Sequence, residues 1–167
     1  NQQSVLLPVL PNLTLNSVLS APAICNGTTF TYTPSSQVSN VSFSWTRSAI
    51  TGITPTSNSG TGSINEVLNN TTTAPITVTY AYTLTANGCS KTTTISVVVK
   101  PTPVLNSPLI GVVCNNAPFN YTATSATVGT TYSWTRASVS GISNAIGSGS
   151  GATINEVLNN TTTAPIV

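Results

Sequence analysis

The sequence predicts an all-β fold made of tandem β-sandwich domains. Apolar residues alternate with Ser and Thr along several segments, helical periodicity is nowhere sustained, and one long stretch occurs twice. The residues from Ile64 to Ile76 are repeated without a change as Ile154 to Ile166, a displacement of 154 − 64 = 90 residues. A period of about 90 residues is longer than a solenoid unit and is close to the size of one small sandwich domain.

The motifs that flank this stretch set the expected domain boundaries. Upstream of it the copies keep an offset of 89, so one residue is inserted between Gly141 and Ile154. The matched pairs are Cys25 with Cys114, Phe30 with Phe119, Tyr32 with Tyr121, Trp45 with Trp134 and, at an offset of 90, Pro11 with Pro101 and Thr77 with Val167. We therefore expect residues 1–10 to be the last strand of a preceding domain, residues 11–100 to be one whole domain, and residues 101–167 to be a second domain that stops before its final strands.

The strand pattern can be followed along the first domain. Large residues recur at every second position, with Ser or Thr between them, as in a strand that has one buried face. The residues predicted to point inward are, in chain order, Phe30 and Tyr32, then Val41, Phe43, Trp45 and Arg47, then Ile76, Val78, Tyr80, Tyr82 and Leu84, then Ile95, Val97 and Val99. The Asn87-Gly88 pair between the last two groups predicts a tight β-hairpin. We expect about seven short strands per domain.

Composition limits the kinds of partner. Charged residues make up 4% of the chain, against the usual 25% or so, and the net charge is +2. There is no basic patch, so we expect no nucleic-acid partner and no binding to anionic membranes. The longest apolar run, Val5 to Leu10, is far shorter than the roughly 20 residues that cross a bilayer, and no membrane insertion is expected.

We predict no enzymatic activity, no cofactor and no metal site. Ser-His-Asp and Cys-His arrangements need a base, and the chain contains neither His nor Asp. Glycoside hydrolysis needs two carboxylates about 5 to 10 Å apart, whereas Glu66 and Glu156 fall one in each domain. Calcium sites at domain junctions need several carboxylates, which the chain also lacks.

Both copies keep one arginine and one glutamate: Arg47 and Glu66 in the first, Arg136 and Glu156 in the second. Alternation places Arg47 on the same face of its strand as Trp45, where a guanidinium group is partly desolvated and requires a partner. We predict an ion pair between Arg47 and Glu66, with Arg136 and Glu156 as its counterpart, and a structural role for both. Trp45 and Trp134 are predicted to be core residues.

Several motifs together carry a family resemblance: Ser44–Arg47, Gly52–Ile53, Ile64–Pro75, Thr79–Tyr80 and Asn87–Cys89. With them the chain resembles the PKD-like (polycystic-kidney-disease-like) repeats of giant cell-surface adhesins of Bacteroidota, of the gliding-motility type exported by the type IX secretion system. The Trp-Asp-Phe-Gly-Asp-Gly signature of ordinary PKD domains is replaced here by Trp-Thr-Arg, so the resemblance is to the PKD-like branch. It implies an immunoglobulin-like β-sandwich, an extracellular location at the cell surface, and a stalk or filament role.

The three cysteines allow two readings. A cell-surface protein meets an oxidising medium, so disulfides are expected. Cys25 with Cys89 is the plain pairing, but in an immunoglobulin-like sandwich these positions lie at opposite ends of the domain, beyond the Cα separation of roughly 7 Å that a disulfide tolerates. The alternative is a staple across the domain junction, in which Cys25 bonds a cysteine expected at about 89 + 90 = 179 and Cys89 bonds the preceding domain. Cys114, the counterpart of Cys25, faces the same choice.

The function we expect is that of a structural module, a stalk or shaft of a large secreted adhesin or filament for adhesion or gliding. The expected partners are neighbouring repeats of the same chain and further copies that associate into fibres through Thr-rich edge strands. Surface polysaccharide or a substratum would be bound by regions outside residues 1–167. The alternatives are a carbohydrate- or ligand-binding module, which needs aromatic residues exposed on one face, and a spacer domain of a secreted enzyme.

Overall fold

The computed structural model of the chain describes residues 9–167, and these residues form an all-β protein without a helix. They divide into two compact units, one that ends at Thr102 and one that comprises Pro103–Val167. The fold-class prediction is confirmed. The strand expected at residues 1–10 falls mostly outside the described residues, and Val9 and Leu10 are not in a strand.

The first unit consists of nine strands within the described range. They are β1 (Ile24–Cys25), β2 (Thr29–Tyr32), β3 (Ser42–Arg47), β4 (Ile53–Thr54), β5 (Asn58–Thr61), β6 (Ile64–Val67), β7 (Asn69–Asn70), β8 (Ile76–Ala86) and β9 (Cys89–Lys100). A five-stranded sheet has the order β1-β9-β8-β3-β5, and β2 pairs with β6 and β4 with β7. The two layers form an immunoglobulin-like sandwich.

The longest feature of this unit is the β8–β9 hairpin, which pairs antiparallel from Ile76 opposite Val99 to Ala86 opposite Cys89. Asn87 and Gly88 connect the strands with φ of 52° and 78°, the left-handed conformation that an Asn-Gly turn adopts. The predicted hairpin is therefore present. Its strands, of 11 and 12 residues, are longer than the short strands that we expected.

Aromatic side chains join the two layers of the first unit. Phe30 packs against Tyr80 and Tyr32 against Tyr82, each pair with ring centroids 5.5 Å apart. The two rings from β8 are fully buried, and the inward residues of β9 are equally hidden. The hairpin therefore supplies the large apolar face that closes the core over β2 and β6.

The second unit has four strands: β10 (Pro118–Thr122), β11 (Ser133–Arg136), β12 (Gly147–Ser150) and β13 (Thr153–Val157). β10 pairs with β13, as β2 does with β6, and β11 pairs with β12, as β3 does with β5. The register is kept, since Phe119 lies opposite Glu156 as Phe30 lies opposite Glu66. Within residues 103–167 no pair of strands corresponds to the β8–β9 hairpin, and the inward side chains Trp134 and Arg136 are partly buried.

Candidate functional site

The densest polar site of the first unit is a buried cluster around the Glu66 carboxylate. β3 and β6 alternate so that Arg47 and Glu66 point into the sandwich, where the two residues are 2% and 5% exposed. The Arg47 guanidinium donates from Nη2 to Oε1 at 2.6 Å and from Nε to Oε2 at 3.1 Å. The structure thus brings together the two residues that the sequence analysis paired, in the two-pronged geometry that suits an arginine and a carboxylate.

Two further side chains donate hydrogen bonds to this carboxylate. The Tyr80 hydroxyl donates to Oε2 at 2.6 Å, and Asn58 Nδ2 donates to Oε1 at 3.1 Å. Arg47 also donates from Nη2 to the Pro55 carbonyl and from Nη1 to the Thr56 carbonyl. Every guanidinium nitrogen of Arg47 and both carboxylate oxygens of Glu66 are therefore hydrogen-bonded, as buried charges must be to remain in a protein interior.

The electrostatics follow from this geometry. Burial by itself raises the pKa of Glu66, but the hydrogen bonds from Arg47, Tyr80 and Asn58 together outweigh it, so that the pKa lies below its ordinary value. Burial, and then the neighbouring carboxylate, raise the pKa of Tyr80 far above its ordinary range. Glu66 is thus held ionised and Tyr80 protonated at neutral pH. Because Arg47, Glu66 and Tyr80 are buried, the charged centre of the cluster is closed to a ligand and stabilises the core.

Sequence reasoning missed Tyr80 and Asn58 as members of this cluster. The alternation of β8 placed the Tyr80 ring inward, but a phenol that is buried also needs a hydrogen-bond partner, and that signal was available. Asn58 gives no such signal, because its position opposite Arg47 depends on the pairing of β5 with β3. Asn70 was also missed: it is 4% exposed, and its amide donates to the carbonyls of Ala74 and Val99.

The counterpart cluster in the second unit is looser. Arg136 Nε contacts Glu156 Oε2 at 3.1 Å, and each side chain is 18% exposed, compared with 0% and 3% for the first pair. The position opposite Arg136 is Gly147, so no amide equivalent to that of Asn58 reaches the carboxylate.

The two tryptophans also differ. Trp45 is 6% exposed, packs edge to face on Tyr80 with centroids 5.6 Å apart, and has Gly60 directly against its ring. Trp134 has the same glycine contact, through Gly149, but is only half-buried. Trp45 thus lies in the core of the first unit, whereas the core position of Trp134 stays a prediction.

The open inner face of the second unit forms an apolar groove. Its lining includes Ile110, Val112, Phe119, Leu158 and Ile166. Two of these are strongly exposed, Ile110 at 86% and Val112 at 95%, whereas Phe30 and Leu68, which correspond to Phe119 and Leu158, are 3% and 0% exposed. In the first unit the equivalent surface is covered by the β8–β9 hairpin.

The three cysteines are exposed and unbonded. Cys25 lies opposite Lys100, the last residue of β9, while Cys89 is the first residue of that strand. Cys89 and Lys100 are eleven residues apart along β9, which is about 35 Å at 3.2–3.4 Å per residue. This is far beyond the roughly 7 Å between Cα atoms that a disulfide tolerates. A Cys25–Cys89 bond within the domain is therefore ruled out by the sheet topology.

The comparisons with known proteins are limited to one family. No curated protein and no solved structure matches the chain. Among the described residues no helix is both long enough and apolar enough to span a bilayer. Residues 22–103, which hold all nine strands of the first unit, match the model of the PKD-like domain. In fold and in sequence, the first unit is thus similar to the PKD-like domain family.

Proposed function

We propose that the chain is a structural segment of a large secreted cell-surface adhesin or filament, in which sandwich domains in series act as a stalk. The observation that carries the proposal is the use of the aromatic residues. Trp45, Tyr80 and Tyr82, the residues that a carbohydrate-binding face would need, are 6%, 0% and 0% exposed. Because these rings pack in the core, they stabilise the fold of the first unit and are not presented to a ligand.

The outer face of the five-stranded sheet is consistent with this role. Four neighbouring strands carry hydroxyl residues on it: Ser59 and Thr61 of β5; Ser42, Ser44 and Thr46 of β3; Thr77, Thr79, Thr83 and Thr85 of β8; and Ser90, Thr92, Thr94 and Ser96 of β9. The Thr83 and Thr92 hydroxyls are hydrogen-bonded across the strands at 3.1 Å. β-branched threonine favours the strand, and its hydroxyl keeps the surface soluble without charge. Such an exterior depends little on salt.

The way in which the first and last strands meet is a second supporting feature. β1 runs parallel to β9, with Ile24 opposite Val99, and just upstream the amide of Ala21 donates to the Ser96 carbonyl at 2.8 Å. The Ser96 amide donates to the Leu19 carbonyl at 2.9 Å. Because the strands are parallel, a pull on the two ends of the domain drags them in opposite directions. The force then loads several hydrogen bonds at once, which suits a domain that carries tension.

The resemblance to gliding-motility adhesins of Bacteroidota extends the proposal to the kind of protein. We place the segment outside the cell, after export by the type IX secretion system, with neighbouring repeats as its immediate partners. Self-association into fibres and contact of other regions with polysaccharide or a substratum belong to the same proposal. A carbohydrate-binding module and an enzyme spacer are the competing functions.

Single-molecule force spectroscopy tests the load-bearing role. Ala21→Pro removes the amide that donates to Ser96, and we expect a lower unfolding force for the first unit than in the matched control Ala21→Gly, which keeps that amide. Equal forces in the two variants would count against a tension-bearing stalk.

A binding survey separates the stalk from the carbohydrate-binding alternative. The chain is applied to a glycan array and to insoluble polysaccharides. We expect no saturable binding, because the first unit exposes none of its core aromatic rings. Binding in the micromolar range that survives 1 M salt would favour the module over the stalk.

A further inference from the structure

The two cysteines of the first unit mark opposite ends of the domain. Cys25 sits beside Lys100, where β9 ends and the chain leaves the unit. At the other end, Lys91 Nζ donates to Asn12 Oδ1 at 3.2 Å, so the chain begins its path through the unit close to Cys89. One exposed thiol therefore lies where the chain comes in, and the other where it goes out.

The thiol at the outgoing end is held on an anchored turn. Thr28 donates both its amide and its hydroxyl to the Cys25 carbonyl, at 3.2 and 2.7 Å. The side chain of Asn26, the next residue after Cys25, accepts the Asn70 amide at 2.6 Å. The turn thus presents an exposed sulfur from a fixed backbone.

The same turn recurs around Cys114. Ala117 donates its amide to the Cys114 carbonyl at 3.0 Å, and Asn115 accepts the Asn160 amide at 2.7 Å. The cysteine is exposed here as well. Both units therefore hold a free thiol in the same local geometry, although only the first unit is closed by a hairpin.

We propose that each thiol forms a disulfide with the cysteine at the opposite end of an adjoining domain, so that successive domains are linked covalently. In a tandem array, connectivity makes the outgoing end of one domain precede the incoming end of the following domain. A Cys25-type thiol and a Cys89-type thiol then belong to the same junction. The chain has too few carboxylates for calcium to stiffen such a junction, and a covalent bond does this without metal.

The bond requires an oxidant, which an extracellular medium supplies as a small-molecule disulfide. The thiolate of one cysteine attacks that disulfide and releases one small thiol, and the second thiolate then displaces the other by exchange. Two protein thiols become one S–S bond, and the small disulfide is reduced to two thiols. The inference thus rests on the extracellular location in the proposed function.

The test extends the full chain after Val167 with a second copy of residues 78–100, which supplies a counterpart of Cys89 to the second domain. The protein is refolded in a glutathione redox buffer, alkylated and digested with trypsin without reduction. We expect mass spectrometry to find a linked pair of peptides, one that contains Cys25 and one that contains the appended cysteine. Cys89 and Cys114, which lack partners in this chain, should be alkylated.

Two matched chains control the experiment. The Cys25→Ser variant of the extended chain should lose the linked pair and leave the appended cysteine alkylated. The original chain of 167 residues should leave Cys25 alkylated under the same conditions.

The proposal is overturned if Cys25 links to Cys89, or if Cys25 and the appended cysteine both stay reactive in an extended chain that is folded by circular dichroism. Because the bond is read in solution, these outcomes do not depend on whether the protein serves as a stalk. If the force or glycan experiments contradict the stalk proposal, the mass spectrometry still tests the disulfide between Cys25 and the appended cysteine by itself.

Discussion

The two units share their motifs and strand registers but differ in how far their interiors are closed. Tyr32 is tied to Ser17 through their hydroxyls at 2.6 Å, and Tyr121 is tied to Ser107 in the same way at 2.7 Å. The central tryptophans differ, since Trp45 is buried and Trp134 is half-buried. The tyrosine–serine contact is therefore set by motifs that both units share. The burial of the tryptophan depends in the first unit on the β8–β9 hairpin, which follows those motifs in the chain.

A second difference is the residue that lies opposite the arginine in each unit. The first unit has Asn58 opposite its buried arginine and the second has Gly147. A Cβ at Gly147 would lie 2.5 Å from the Glu156 carboxylate, so in the second unit the carboxylate approaches the strand at a position where any side chain would collide with it. Both units have the arginine–glutamate ion pair, but the additional donors Asn58 and Tyr80 belong to the first unit.

The largest expected effect is the closure of the second unit by the missing hairpin. In the chain extended after Val167 with a copy of residues 78–100, the appended strands should cover the groove lined by Phe119 and Leu158. Burial of several large side chains contributes about 1.5–3 kcal/mol each. We expect Trp134 emission to shift to shorter wavelength and its quenching by iodide to fall. Unchanged Trp134 accessibility would show that the difference between the units does not come from the hairpin.

The next effect concerns the ion pairs. Glu66→Gln leaves the Arg47 charge buried without a counter-ion and should lower the free energy of unfolding of the first unit by about 3–5 kcal/mol. The matched variant Glu156→Gln removes a more exposed partner and should cost no more than about 1 kcal/mol. Urea denaturation measures both. Equal losses, or an unchanged midpoint for Glu66→Gln, would contradict the role assigned to burial.

A smaller effect is expected from the tyrosine that only the first unit contains. Tyr80→Phe removes a hydrogen bond to a charged carboxylate, which is worth about 1.5–3 kcal/mol. The control is Tyr82→Phe, whose hydroxyl donates to the neutral Gly62 carbonyl at 2.9 Å, and such a bond is worth about 1 kcal/mol. Thermal unfolding of the two variants should rank them in that order, and the reverse order would exclude the Tyr80 hydroxyl as a support of Glu66.

The smallest expected effect is a dependence on acid. The pKa of Glu66 is lower in the folded state than its ordinary value of 4.5, so its ionisation stabilises the folded state at higher pH. That contribution should be lost as the pH falls below about 4.5 and through the folded pKa. Urea titrations over this range should show the loss in the parent chain and a flatter profile in Glu66→Gln. A parallel profile in the variant would assign the acid sensitivity to another group.

Much of the fold and part of the site could be predicted from the sequence. Alternation gave the inward faces of β2, β3, β8 and β9, since side chains along a strand point to opposite faces whatever the surrounding fold. The same rule placed Arg47 beside Trp45, and the absence of other carboxylates in the domain left Glu66 as its partner. Asn58 was not predictable, because its contact requires the register of β5 against β3.

The sequence by itself determined the repeat, the strand faces, the Asn-Gly turn and the choice of ion-pair partners, because each depends on residues close in the chain or on a scarcity of charge. Only the tertiary structure decided that Cys25 and Cys89 lie at opposite ends and that Tyr80 completes the Glu66 site. Both depend on which strands come to lie side by side. That choice is made by contacts between residues far apart in the chain, where local pattern carries no information.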